Sequence, residues 1–233
     1  MACGFFVICL TNCKPMQAVI FANGIIDDAG SVFSGNDLII AADGGLHHCR
    51  SLGITPDVVI GDMDSLAGDD IKGLQIAGVE IIRYPAKKDQ TDLELALKLA
   101  VDRGADEIVV FGAMGGRWDM SIANILLPAE QNLSNATIRI IDGRHEIMLL
   151  RAGKEITFHG GKGDILSLIP LGRDTLGITA IGLEYPLKDD MLKLGSSRGI
   201  SNVFIENSAT VFLKQGLLLC VHIQKEFEVP KVI

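Results

Sequence analysis

Four short clusters in the first half of the chain combine carboxylates, glycines and cations in a way that suits metal and phosphate chemistry. They are Ala42-Asp43-Gly44-Gly45, Gly61-Asp62-Met63-Asp64-Ser65, Lys87-Lys88-Asp89-Gln90-Thr91-Asp92 and Gly112-Ala113-Met114-Gly115-Gly116-Arg117-Trp118-Asp119. Asp62 and Asp64, two apart on a turn, can point the same way and share a hard cation. Mg²⁺ in particular takes one or two carboxylates together with phosphate oxygens and water. Asp89 and Asp92, three apart, straddle a helix start, where Asp89 has the alternative role of a turn or helix-terminus residue. Lys88 and Arg117 supply positive charge for a polyphosphate, Arg117 through a planar bidentate fork. Gly112, Gly115 and Gly116 let backbone N–H groups approach phosphate oxygens at a helix N-terminus. The chain has no G-x-x-x-x-G-K-[ST] and no G-x-G-x-x-G after a strand, which excludes a P-loop and weakens a dinucleotide site.

Each cluster falls at the end of an apolar run. Gln17–Phe21, Asp37–Ala42, Asp57–Ile60, Glu80–Arg83, Glu107–Phe111 and Thr137–Ile141 read as short buried strands of a parallel sheet. Between them, Gly45–Leu52, Leu66–Ala77, Thr91–Arg103 and Trp118–Ala129 read as helices. Thr91 is the expected N-cap of the third, with Glu94 as its capping-box partner. Such alternation means βαβ units, and open α/β sheets bind ligands beyond the carboxyl ends of their strands. After Asp142-Gly143 the texture changes to closely spaced β runs at Glu146–Arg151, Glu155–His159, Asp164–Ile169, Leu176–Ile181, Ser201–Glu206, Ala209–Lys214 and Leu217–Ile223. The expected fold is therefore an N-terminal open, mostly parallel α/β domain over 1–143, then a C-terminal antiparallel β-sandwich domain over 144–233.

Composition narrows the function classes. The 233 residues are 48% hydrophobic and 21% charged, which excludes intrinsic disorder. The 21 basic and 29 acidic residues give a net charge of −8, so no nucleic-acid partner is expected. The apolar stretch Phe5–Leu10 is too short for a membrane span and lacks signal-peptide features, so no membrane association is expected. Five cysteines without a C-x-x-C pair read as reduced, packing thiols rather than a Cys3/Cys9/Cys13 metal set, which points to the cytoplasm. His47 and His48 have no partner at metal-ligand spacing and read as surface or helix residues. Trp118, the single tryptophan, reads as a packing residue, with a substrate-facing ring as the alternative.

Taken in order, Ala42-Asp43-Gly44-Gly45, Gly61-Asp62-x-Asp64-Ser65, Lys88-Asp89-x-Thr91-Asp92-x-Glu94 and Gly115-Gly116-Arg117-x-Asp119 resemble the signature blocks of the thiamine pyrophosphokinase family. Ser167-Leu168-Ile169-Pro170, Gly182-Leu183-Glu184-Tyr185-Pro186-Leu187 and Gly199-Ile200-Ser201-Asn202 resemble that family's blocks in its β-rich half. The resemblance implies an enzyme that transfers the diphosphoryl group of ATP to the hydroxyethyl oxygen of thiamine, giving thiamine diphosphate and AMP. It also implies a homodimer with active sites at the subunit interface. Asp62, Asp64 and Asp92 would hold Mg²⁺, and Asp43, Asp89, Arg117 and Asp119 would complete the catalytic shell. Gly44, Gly45, Lys88, Thr91, Gly115 and Gly116 would meet the nucleotide. Tyr185, Ser201 and Asn202 would lie near the thiamine pyrimidine, although Tyr185 could instead close a β-turn before Pro186. Met120 departs from the family pattern, which often has His or Gln after Asp119. A pterin diphosphokinase, a non-catalytic nucleotide or thiamine sensor and a phosphohydrolase are the rival readings.

Overall fold

A computed structural model describes residues 16–26, 37–64, 66 and 68–225. The most continuously apolar runs form the inner strands, as expected where both sheet faces are covered. β1 (Gln17–Phe21), β2 (Leu38–Ala42), β3 (Val58–Gly61), β4 (Glu80–Arg83), β5 (Glu107–Phe111) and β6 (Thr137–Asp142) run parallel in the spatial order β6-β5-β1-β2-β3-β4. The chain leaves β1 toward β2, β3 and β4, then returns to the other side of β1 through β5. That reversal creates a crevice at the carboxyl ends of β1 and β5, where such sheets bind ligands.

Helices cover both faces. α1 (Gly45–Ser51) buries Leu46 and Cys49 in one core, together with Val19, Phe21, Val59, Val109 and Phe111. α2 is Gly68–Ile76. α3 (Asp92–Asp102) buries Leu93, Ala96, Leu97 and Ala100 in the opposite core. Its N-cap is Thr91, whose hydroxyl accepts the Glu94 N–H at 3.2 Å. Only half of the capping box forms, because the Glu94 carboxylate is taken by Gln90 and Lys98 at 2.9 and 2.8 Å. α4 (Trp118–Leu126) ends sooner than its apolar pattern suggests, giving way to a 3₁₀ turn at Leu127–Ala129 that carries Pro128. Trp118 corrects the packing expectation: it is 81% exposed.

The sheet does not stop at Gly143. A hairpin pairs β6 with β7 (His145–Arg151), with Gly143 at φ 54° in its turn. β14 (Leu217–Ile223), β9 (Ile165–Pro170) and β12 (Asn202–Val203) extend the same sheet antiparallel beyond β7. A second sheet, in the order β11-β10-β13-β8, contains β8 (Lys154–His159), β10 (Thr175–Ile181), β11 (Leu187–Leu192) and β13 (Ser208–Gln215). The two sheets bury Leu150, Leu166, Leu168, Leu218 and Cys220 against Phe158, Ile178, Val211 and Leu213, which makes the β-sandwich.

Two strand expectations need correction. β11 went unanticipated because Leu-Lys-Asp-Asp-Met-Leu buries only its two end leucines and pairs irregularly with β10 at the sheet edge. The expected strand Ser201–Glu206 shrinks to Asn202–Val203, since Ser201 adopts φ 58° and Phe204 turns to bridge Leu183. Cys49 and Cys220 are buried free thiols, whereas Cys3, Cys9, Cys13 and Ser65 lie outside the described residues.

Candidate active site

Asp43 is the first residue after β2 and takes φ 46°, a left-handed conformation unusual for a residue with a Cβ. Its N–H donates to the Ile60 carbonyl at 2.8 Å, tying the end of β2 to that of β3. β3 ends at Gly61, where a Cβ would meet the Asp43 Cα and Cβ at 3.2 Å. Met63 follows at φ 62°, its side chain buried, and its turn swings Asp62 and Asp64 toward the same space. The Asp64 N–H donates to Asp62 Oδ1 at 3.2 Å. Left-handed residues of this kind cost of order 1–3 kcal/mol and cluster where geometry serves function.

Asp43, Asp62 and Asp64 can each offer a carboxylate oxygen within 4.8 Å of the others. The buried Oδ1 of Asp43 has no hydrogen-bond partner. Burial raises the Asp43 pKa above the ordinary carboxylate value, the Gly44 N–H opposes this, and the charges of Asp92, Asp62 and Asp64 push it further up. An oxygen-only donor set with this much uncompensated negative charge fits a hard divalent cation.

Asp92, expected to complete the metal set, lies outside that trio and pairs with Lys88 Nζ at 3.1 Å. The Lys88 ammonium also donates to the Pro85 carbonyl at 3.3 Å, and its side chain is only 15% exposed. The cation is thus held close to the carboxylates by a short i, i+4 pair.

The opposite wall is the loop after β5. Gly24 N–H donates to the Gly112 carbonyl and Ile25 N–H to the Met114 carbonyl, both at 2.7 Å. A Cβ on Gly24 would sit 2.1 Å from the Met114 carbonyl oxygen, so only glycine permits this approach. Gly115 N–H is already spent on the Ser121 hydroxyl at 3.2 Å, contrary to the expectation that it faces phosphate. Open space surrounds Gly116, where a Cβ would meet nothing within 4 Å. At the exposed mouth Arg117 and Asp119 form a two-point ion pair, which raises the Arg117 pKa and lowers that of Asp119.

Together these walls enclose a cleft of about 470 Å³. Asp43, Asp62, Lys88, Thr91, Asp92, Gly115, Gly116 and Arg117 line it, so eight expected site residues converge on one space. Gly44 and Gly45 lie at the start of α1 outside its lining, and Asp64, Asp89 and Asp119 are exposed residues outside it, Asp64 reaching Asp43 and Asp62 from its edge. Tyr185, Ser201 and Asn202 do not line it either. The Asn202 amide is engaged as a clamp, accepting from the N–H groups of Tyr185 and Val203 at 3.0 Å and donating to the Tyr185 carbonyl at 2.7 Å. The Tyr185 ring is left 66% exposed.

Sequence reasoning missed Asn23, Gly24, Ser121 and Asn124, all of which line the cleft. Ser121 and Asn124 carried a usable signal: they are polar, three residues apart, on the inward face of a helix that starts at the glycine loop. His48, read as a surface or helix residue, lies on α1 and its Nε2 is 2.8 Å from the Gly24 carbonyl.

Two family models match the chain: "Thiamin pyrophosphokinase, catalytic domain" over residues 29–140 and "Thiamin pyrophosphokinase, vitamin B1 binding domain" over residues 145–218. Thiamine pyrophosphokinase of Bacillus subtilis is 32% identical over 197 residues, covering 84% of this chain and 92% of that protein. Its crystal structure superposes with a TM-score of 0.79 at 30% identity, covering 90% of this chain and all of that one. The enzyme structure from Geobacillus thermodenitrificans gives 0.78 at 28% identity, covering 91% and 99%. Yeast thiamin pyrophosphokinase, at 18% identity, shares the fold with a TM-score of 0.70 over 91% of this chain and 88% of that one.

Proposed function

The chain belongs to the thiamine pyrophosphokinase family, whose ATP-dependent diphosphoryl transfer to thiamine makes thiamine diphosphate, and we propose that the reaction runs in the cleft at the ends of β2, β3 and β5. The observation that carries this reading is that Asp43 and Asp62 line the cleft opposite a glycine loop and Lys88, with a carboxylate oxygen of Asp64 within 4.8 Å of theirs at its edge. In the transfer, the hydroxyethyl oxygen of thiamine bonds to the β-phosphorus of ATP, the bond from that phosphorus to the α-phosphate oxygen breaks, and AMP leaves. No histidine lines the cleft among the described residues, so the hydroxyl proton passes to a carboxylate of the cluster or to water.

Asp62 and Asp64, with Asp43 beside them, would hold Mg²⁺, while Asp92 would add its charge from its pair with Lys88. When bound, the ion neutralises charge developing on the transferred phosphates. Lys88 and Arg117 add positive charge, and Gly116 leaves room for a phosphate oxygen near the backbone. These groups act by position and electrostatics, which supply most of the acceleration in phosphoryl-type transfers.

Thiamine is bound by the β-sandwich half, with the Tyr185 ring as a stacking surface and Asn202 fixing the turn that carries it. Because Tyr185, Ser201 and Asn202 do not line the cleft of their own chain, a second copy brings them to it. Support comes from α4, whose outer face exposes Trp118, Ile122 and Leu126 at i, i+4 and i+8 beside the cleft. A homodimer with interfacial active sites covers that stripe. No helix among the described residues is long and apolar enough to cross a membrane, and the buried free thiols Cys49 and Cys220 suit a reducing cytoplasm.

The test is incubation with ATP, thiamine and Mg²⁺, with and without a chelator. Equimolar thiamine diphosphate and AMP, abolished by the chelator, are expected. Thiamine monophosphate with ADP would refute diphosphoryl transfer.

A further inference from the structure

The loop from Gly112 to Arg117 has two independent supports on α4, and neither is a group that the transfer itself requires. Ser121 is 6% exposed, and its hydroxyl accepts the Gly115 N–H at 3.2 Å while lying 3.0 Å from the Arg117 carbonyl and 3.3 Å from the Gly115 carbonyl. One oxygen therefore touches the loop at both ends of Gly115-Gly116-Arg117. Asn124, one turn further along, is 7% exposed and donates its Nδ2 to the Ala113 carbonyl at 2.7 Å. Its Oδ1 is buried without a partner.

A purely structural origin explains this poorly. A serine on a helix commonly bonds the carbonyl four residues back, which accounts for Arg117 but not for the Gly115 amide. A buried amide with one end unpaired carries a desolvation penalty. Asn124 bears it while holding the Ala113 carbonyl, at the root of the glycine loop. Both side chains also line the cleft, so the atoms that fix the loop sit directly behind the surface that ATP would meet.

We propose that Ser121 and Asn124 are positioning residues for nucleotide binding: they hold Gly115, Gly116 and Arg117 in the shape that receives the ATP phosphates. The inference rests on the reading of the cleft as the ATP site. Without the Ser121 oxygen the Gly115 amide loses its acceptor and the loop its tether, while the core loses no apolar volume.

Three variants test it: Ser121→Ala, Ser121→Thr and Asn124→Ala. Each is measured by calorimetric titration with a non-hydrolysable ATP analogue in Mg²⁺, by steady-state constants for ATP and for thiamine, and by thermal melting. For Ser121→Ala and Asn124→Ala the Kd of the analogue and the KM for ATP rise by about 10- to 100-fold, the scale expected when a binding group is displaced by about an ångström. The KM for thiamine stays at the wild-type value, and Ser121→Thr, which keeps the hydroxyl, recovers most of the ATP affinity. Lower melting temperatures with unchanged ATP constants would show that the two residues only support α4 and would overturn the proposal. So would equal weakening of both substrates. If the wild-type protein binds the analogue but forms no thiamine diphosphate, the proposed reaction falls while the titrations still decide this inference. If it does not bind the analogue, both fall.

Discussion

Like charges held within ligand distance in a half-buried pocket repel one another, and the fold keeps them there at the cost of left-handed backbone at Asp43 and Met63. Removing one charge relieves repulsion while weakening the cation site. Asp64→Asn and Asp62→Asn should therefore lower turnover by several orders of magnitude without loss of thermal stability in the metal-free protein. Near-normal turnover at limiting Mg²⁺ would remove that residue from the metal set. A second cluster, away from the cleft, sets a pH dependence. His222 is fully buried, with Nε2 3.0 Å from Asp164 Oδ2 and Nδ1 3.4 Å from Glu146 Oε2. Burial alone would lower its pKa, but the two carboxylates outweigh burial and raise it above 6.5. Burial opposes ionisation of Glu146 and Asp164 as well. Hydrogen bonds and ion pairing from His222 and Arg139 leave Glu146 below 4.5, and the N–H groups of Lys225 and Gly161 with His222 leave Asp164 below 3.8. A raised histidine contributes stability that is complete below 6.5 and lost as pH rises through its folded value. Depressed carboxylates contribute stability that is complete above 4.5 and lost as pH falls through theirs. Urea midpoints should thus be highest between about 4.5 and 6.5, and His222→Phe should flatten the alkaline decline. An alkaline decline that survives the substitution would assign it to another group.

Among the elements, α3 links stability most directly to the site, because its N-cap Thr91 lines the cleft one residue before Asp92. Thr91→Ala should cost about 1 kcal/mol by urea unfolding, as loss of a capping hydroxyl does elsewhere. A loss no larger than experimental error would mean that water caps the helix equally well. The ease with which such elements were legible in the sequence follows their burial. β1, β5 and β14, each mostly buried, have the boundaries their apolar runs predict, and α3 its cap and its buried stripe. β11 was not legible, because an edge strand needs only two buried leucines and its charged middle reads as a loop. The carboxylate clusters were legible as Asp and Gly placed after strands. The wall formed by Ser121 and Asn124 was not, because small polar residues on a helix declare their partners only once the loop before the helix has a shape. Likewise the clamp role of Asn202 depends on Tyr185, seventeen positions away, and on a turn that periodicity does not reveal.

At the scale of the whole molecule, one sheet runs from β4 through the β6–β7 hairpin to β12, so the carboxylate cleft and the β-sandwich share a backbone frame. Ile147 and Leu219, from the second half, are buried in the core that α3 covers. What the frame does not do is bring Tyr185 to the cleft of its own chain; the proposed second copy would. Trp118→Glu, a charge at the N-terminal end of the exposed stripe on α4, should convert the proposed dimer to monomers in sedimentation velocity and lower activity with it, while melting changes little. A dimer undisturbed by that charge would move the interface elsewhere. Transfer of an intact diphosphoryl group at the carboxylate cleft is tested by tracing labelled ATP. With the label on the β-phosphorus, it should appear in thiamine diphosphate, AMP should be unlabelled, and Asp64→Asn should suppress both products together. Label retained in ADP, or labelled thiamine diphosphate still formed at the wild-type rate by Asp64→Asn, would contradict it.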